Sequence, residues 1–339
     1  MESFSPDPVL LAETDSEEFS PLFRERPAFP KLSNLKPDML TNQATLRSPI
    51  TCSGVGLHTG RSIKLRMEPA PAGTGIVFQR TDIAASPILA RYDNVVETRL
   101  STVIGDHDNR NNRVATIEHL MSALSGKAID NAKIFVDGPE VPVLDGSAAD
   151  FLFLLDCAGR LEQETPRREI AITRPVRVQE GDAFAELHPV AGNNLSLHMT
   201  IDFPARAIGR QCLSLHLSEM TFRQELSFSR TFTNRQEIDA LQASGLARGG
   251  SLDNAIVVDE EKVLNPTGLR KADEFVRHKL LDAVGDLFLA GARLRGTFVG
   301  HKSGHHLNNQ LLRALFADQS SWRNISGAKN SMETSRRAA

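Results

Sequence analysis

Residues 274–290 read EFVRHKLLDAVGDLFLA. At roughly 3.6 residues per helical turn, Phe275, His278, Asp282, Gly285 and Leu289 fall on one stripe. An imidazole and a carboxylate one turn apart therefore project from an otherwise apolar face. A carboxylate buried without a partner is costly, so it is normally paired or bound to a cation. At this spacing the His nitrogen and the Asp oxygen either hold one metal ion together or hydrogen-bond each other. Asp286, another turn on, drifts about 80° around the helix from His278, which suits a supporting position behind the ligands.

Working outward, the pattern predicts a helix over about 272–290 followed by a strand, LRGTFVG, and a glycine turn into a closing helix, HKSGHHLNNQLLRALFAD. Upstream, GLARGGSLDNAIVVDEEKVLNPTGLR reads as a glycine turn with a β excursion. LSFSRTFTNRQEIDALQASG reads as a helix started at Asn234 and ended by Gly245. Strands run through REIAITRPVRVQEGDAFAELHPV, NNLSLHMTIDFP and QCLSLHLS, with His188 and His198 structural. The charged, Pro-bearing run RLEQETPRR, residues 160–168, marks a domain boundary.

The first half carries the same alternation of strand and helix. SIKLRMEPA and GIVFQRTD alternate apolar and polar residues as half-exposed antiparallel strands do. VATIEHLMSALSG, residues 114–126, reads as an amphipathic helix stopped by Gly126. VPVLDGSAADFLFLLDCAG turns at Asp145-Gly146 into a helix capped by Ser147, with Asp150 and Asp156 solvated. His107 falls in a polar turn and is read as solvated. In TCSGVGLHTG, residues 51–60, three glycines mark a tight turn that fits neither a Walker nor a dinucleotide pattern; His58 there is either turn filler or a ligand contact.

Composition limits the function classes. The 339 residues are 40% hydrophobic and 24% charged, enough for a sizeable core in two domains. No apolar run approaches the roughly 20 residues of a membrane-spanning helix. A formal charge of -3 and 6% aromatic residues argue against a nucleic-acid footprint. Cys52, Cys157 and Cys212 are isolated, which indicates a reducing compartment and excludes a thiolate zinc site; with an acidic N-terminus where a signal peptide would be basic, the expectation is a cytoplasmic protein. Residues 1–44 hold six of the seventeen prolines and eight acidic against four basic residues, the texture of a disordered tail, and 321–339 read as a polar C-terminal tail.

Three elements far apart in sequence assemble into one candidate site. A catalytic zinc takes three protein ligands and leaves a further position open. His119, His278 and Asp282 supply three N and O donors. Adjacent residues on a helix point about 100° apart, so Glu118 stands beside His119 as a general base for water. His305 follows Gly304 at the start of the last helix, whose positive end disfavours an imidazolium while Asp286 as partner favours it; protonated, it can stabilise an oxyanion or protonate a leaving amine, and His306 lies on another face.

The motifs VGLHTG, IEHLMSAL, VPVLDGSAADF, SRTF, GGSLDNAIVVD, FVRHKLLDAVGDL and KSGHHLNN, in order from about Ala44 to Leu315, resemble the UDP-3-O-acyl-N-acetylglucosamine deacetylases, zinc amidases of lipid A biosynthesis. The resemblance implies an α+β fold of two similar domains, 45–163 and 168–320, whose helices lie against antiparallel sheets in a β-α-α-β sandwich with the active site between them. It implies Zn2+ on His119, His278 and Asp282, Glu118 as general base, and Asp286 orienting a catalytic His305. It further implies Thr231 polarising the acetamide carbonyl, Lys279 meeting the pyrophosphate, and Phe232, His58 and Gly250 lining the substrate site. The β excursion over 249–258 corresponds to an insert that shapes an acyl-chain passage. A monomer acting on a small nucleotide-sugar substrate is expected. The competing expectations are a non-catalytic nucleotide-sugar or acyl-chain binder, and a zinc amidase acting on another N-acetyl sugar.

Overall fold

Alternation sets the first sheet. In Ser62–Pro69, Ile63, Leu65 and Met67 are fully buried while Ser62, Lys64 and Arg66 face solvent, the period-2 pattern of a sheet wet on one side. In the computed structural model, which describes residues 42–326, this strand lies second in a five-stranded sheet. The order is Ile50–Val55, Ser62–Pro69, Ala132–Val136, Ile76–Arg80, Ile88–Leu89. A seven-stranded sheet in the second half is organised by Arg293–His301. Residues 297–301 of that strand pair antiparallel with Ala183–His188 on one edge and parallel with Leu195–Asp202 on the other. Residues 293–295 pair parallel with Arg168–Ile172.

The helices are α1 (Glu118–Gly126), α2 (Ala149–Ala158), the single turn α3 (Glu219–Thr221), α4 (Arg235–Ala243), α5 (Glu274–Phe288) and α6 (His305–Ala317). The α+β sandwich expected from the sequence is observed, with sheets that are mixed rather than wholly antiparallel. Parallel neighbours cannot be joined by a hairpin and require a crossover. Ile76–Arg80 reaches its parallel partner Ala132–Val136 by a path containing α1. Leu195–Asp202 reaches Arg293–His301 by a path containing α5. The same topological device thus delivers both helices that carry the metal-site motifs to the inner faces of their sheets.

There α1 and α5 pack on each other. Gly285 permits the approach, since a Cβ at that position would lie 2.1 Å from the Glu118 carbonyl oxygen. Ser122 Oγ donates to the Leu281 carbonyl across the same contact at 2.9 Å. One apolar cluster runs from Leu65 and Ile134 of the first sheet through Leu120, Leu124, Leu281 and Val284 to Leu197 and Phe298 of the second. Lying between two layers, α5 is buried on nearly every face, so its charged residues are paired. Glu274 binds Arg230 at 2.9 Å and Arg277 binds Asp273 at 2.6 Å.

Three segments differ from the sequence expectation. Val114 ends a short strand, and the helix begins only at Glu118, because Thr116 takes a left-handed φ of 58°. The charged run read as a domain boundary is a strand, Arg160–Pro166, whose antiparallel partner Asn42–Leu46 begins inside the segment read as tail; main-chain pairing there is indifferent to the charges that face solvent. The C-terminal stretch from 321 contributes the strand Trp322–Ser326, antiparallel to Arg168–Ile172, with the Trp322 ring packed edge-on against Phe316. The tail expectations for 1–41 and 327–339 lie outside the described residues.

Candidate active site

The crossing of α1 and α5 brings His119, His278 and Asp282 together, all buried, with one ligand-type atom from each lying within 4.8 Å of the others. Asp282 Oδ1 stands 3.4 Å from His278 Nε2 and 3.6 Å from His119 Nε2. Donors held about 2.0–2.2 Å from a tetrahedral ion sit about 3.3–3.6 Å from one another, so the spacing suits a small divalent cation better than direct hydrogen bonds. Asp282 Oδ1 is buried and has no hydrogen-bond partner among the described residues. A buried oxygen placed in this way beside two imidazole nitrogens makes a donor set that fits a cation.

The imidazole of His278 is held in the ligating tautomer. Its Nδ1–H donates to the Ser229 carbonyl at 3.0 Å, which leaves the Nε2 lone pair facing Asp282. Burial pushes its pKa down to about 4, against the pull of Asp282, so the ring is neutral. Burial alone would raise Asp282, but the neighbouring His278 and Lys279 outweigh it and hold the carboxyl well below its usual range.

Glu118 and His305 face each other across the same corner, Oε1 to Nε2 at 3.9 Å. Glu118 Oε2 accepts the Thr102 amide at 3.0 Å, and burial raises its pKa against the pull of His305 and His119. His305 Nδ1 donates to Asp286 Oδ2 at 2.9 Å. Asp286 is itself fixed by the Thr102 hydroxyl at 2.6 Å and Asn308 Nδ2 at 2.9 Å. Burial and the positive end of α6 disfavour an imidazolium, but Asp286, Glu118 and Asp282 outweigh them and raise His305 to about 9. A protonated His305 then aims Nε2–H between a carboxylate able to take a proton and the cation donors. His306 is exposed on the other face, as the sequence suggests, and His107 is exposed in its turn.

A cavity of about 390 Å³ opens beside this corner, lined by His58, Thr231, Phe232 and Gly250 together with the apolar Leu241 and Val257. Its floor is the strand Phe232–Asn234 paired with Ile256–Asp259, and α4 packs over both. Phe232 joins cavity to corner, its ring edge-on to His278 at 6.0 Å and to Phe275 at 5.0 Å. Both ring nitrogens of His58 are buried without a partner among the described residues. Lys279 stands apart from the cavity lining and donates to Asp282 Oδ2 at 2.8 Å. Sequence reasoning missed Thr102, Ser229 and Asn308, each of which acts through a backbone group or through another residue; only the Asn308 of KSGHHLNN carried a signal.

The family model described as UDP-3-O-acyl N-acetylglycosamine deacetylase matches residues 43–317. A protein of Acidithiobacillus ferrooxidans bearing the name UDP-3-O-acyl-N-acetylglucosamine deacetylase is 49% identical over 284 residues, 84% of this chain and 92% of the relative. Its namesake in Phenylobacterium zucineum is 49% identical over 83% of this chain and 95% of the relative, and that of Shewanella sp. W3-18-1 is 46% identical over 85% and 94%. With the cation donors, the opposed carboxylate and imidazolium, and a family match that runs from the first described strand to the end of α6, the chain belongs to the UDP-3-O-acyl N-acetylglycosamine deacetylase family.

Proposed function

We propose that this chain hydrolyses the N-acetyl group of UDP-3-O-[(3R)-3-hydroxyacyl]-N-acetylglucosamine, releasing acetate and leaving the free amine, with zinc held by His119, His278 and Asp282. The observation that carries the reading is the opposition of Glu118 and His305 across the cation donors. Zinc there supplies a Lewis acid and lowers the pKa of water to about 7. Glu118 takes the proton of the water that attacks the acetamide carbon, and its burial makes it a stronger base than a solvated carboxylate. The Thr231 hydroxyl polarises the carbonyl. His305 steadies the oxyanion and then gives its Nε2 proton to the nitrogen as the C–N bond breaks, while Asp286 keeps the ring oriented.

The cavity supports an acylated substrate over a bare N-acetyl sugar, since beside polar groups such as Thr233 and Gln242 it presents a run of Leu57, Ile238, Leu241, Leu252 and Leu264 that suits an acyl chain. Phe232 contacts the nucleotide sugar, and His58 and Gly250 complete the lining. Lys279 meets the pyrophosphate by exchanging its bond to Asp282. The reading includes a cytoplasmic monomer that binds no nucleic acid, divided into 45–163 and 168–320. In its support, the five-stranded sheet is drawn wholly from 45–163 and the seven-stranded sheet from 168–320 save for Trp322–Ser326, and no described helix is long and apolar enough to cross a membrane.

The test is acetate release from that substrate by metal-stripped protein, with and without one equivalent of zinc, beside Glu118→Ala. Zinc is expected to restore turnover, and the variant to keep its metal while kcat falls by about 10²–10⁴. Zinc-loaded wild type that binds the nucleotide sugar and releases no acetate would make the chain a binder instead.

A further inference from the structure

Glu140 has no part in the chemistry above, yet it is wholly buried and no ion pair engages it among the described residues. A carboxylate in that position must be satisfied by hydrogen bonds. Oε1 accepts from the His58 amide at 2.9 Å and from the Thr116 hydroxyl at 3.0 Å. Oε2 accepts from the Thr59 amide at 3.1 Å and the Thr59 hydroxyl at 3.0 Å. Gly56 leaves room for this carboxylate, because a Cβ there would lie 2.5 Å from Oε2.

Each end of this network leads to the site. Thr116, two residues before Glu118, holds a φ of 58° that a β-branched side chain rarely adopts, so its bond to Glu140 fixes the turn from which α1 starts. At the other end, the fixed His58 turn passes its geometry to the insert. The Leu57 and His58 carbonyls accept the amides of Gly249 at 3.0 Å and Arg248 at 3.3 Å. The two backbones are so close that a Cβ on Gly249 would lie 2.2 Å from the Gly56 oxygen. Leu57, His58, Ala247 and Gly250 on either side of this seam all line the cavity.

We propose that Glu140 is a positioning residue: it sets the cavity wall through the His58 turn and its main-chain seam with the insert, and it ties that wall to the turn that presents Glu118. The proposal rests on the deacetylase reading for its kinetics but not for its structural readout. Glu140→Gln keeps the volume and replaces an acceptor with a donor facing an amide, so the seam should loosen. In metal-loaded, folded protein the expected result is at least a tenfold rise in KM, a change in kcat below threefold, unchanged zinc content, and faster hydrogen exchange at 57–60 and 247–250. Thr59→Val, which keeps the Thr59 amide bond to Glu140 but removes the hydroxyl's bonds to Glu140 and from the Arg61 amide, should move the same quantities by a few-fold and serves where the Gln variant does not fold. Thr116→Val removes the hydroxyl bond that the amide oxygen of the Glu140→Gln variant, placed at the Oε1 position, would keep, and so should lower kcat and leave KM near wild type. Unchanged KM together with unchanged exchange at 57–60 and 247–250 in either Glu140→Gln or Thr59→Val would overturn the proposal. Absence of acetate release by the wild type would sink the deacetylase reading and leave the exchange result to decide the role of Glu140.

Discussion

The cation corner and the apolar cavity beside it are built by opposite means. In the corner, side chains on two crossing helices do the positioning, and charged or neutral states are set by burial and by neighbouring carboxylates. Around the cavity, the backbone does it: turns pressed together at Gly56 and Gly249, and Ala247 at a left-handed φ of 52°. A side-chain site fails at the step its atoms perform, whereas a backbone-built wall fails by changing shape. Damage to the first should therefore appear in metal content and kcat, and damage to the second in KM and selectivity.

The largest effect should come from His278→Ala, which removes a donor and leaves Asp282 Oδ1 buried beside a void. Zinc content measured by atomic absorption is expected to fall close to zero and turnover to background. A variant that retained stoichiometric zinc would erase the distinction at its strongest point. Next, Asp286→Asn keeps the shape around His305 and removes the carboxylate that helps hold it protonated. Loss of an outer partner of this kind typically costs about 10–100-fold. If His305 acts protonated, as proposed, then because Asp286 raises its pKa the alkaline limb of kcat should move to lower pH in the variant. An unmoved limb would separate Asp286 from proton control.

Gly249→Ala tests the other region. A methyl 2.2 Å from the Gly56 oxygen forces the seam apart, with an expected loss of about 1–3 kcal/mol in denaturant unfolding. KM should rise while zinc content and kcat stay near wild type. The smallest effect is expected for Ala247→Gly. Relief of a left-handed alanine and the greater freedom of glycine in the unfolded chain each amount to about 1 kcal/mol and oppose one another, so stability should hardly change. Loss of one methyl from the lining should shift preference toward a longer or bulkier acyl chain by a few-fold in kcat/KM. Equal rates on all chain lengths would show that this wall does not select.

The same contrast explains what the sequence disclosed. His278 and Asp282 could be read because a helix converts a spacing of four into one face, and Glu118 and His119 because adjacent residues on a helix must diverge. Asp286 was legible as a supporting residue by the same arithmetic. Thr102 was not: it lies in a loop, and its amide and hydroxyl reach two different carboxylates only because the fold brings α1 and α5 to it. Ser229 acts through a carbonyl that every residue possesses. Glu140 stood in a run of ordinary turn residues, and its burial depends on the chain closing over it from both sides. The terminal strands were missed because pairing of main chain leaves no mark on a polar sequence.

The central position of Arg293–His301 has a consequence for how the protein comes into being. The first sheet is complete once Val136 has been made, so that half can condense as it leaves the ribosome. The second sheet cannot close until its middle strand, close to the end of a 339-residue chain, has been synthesised, and His305 follows that strand. A chain interrupted before residue 293 has α5 with an incomplete layer beneath it and no imidazolium opposite Glu118. Such a chain would be hydrolytically inert under the proposed mechanism, so turnover requires a polypeptide that extends past His305.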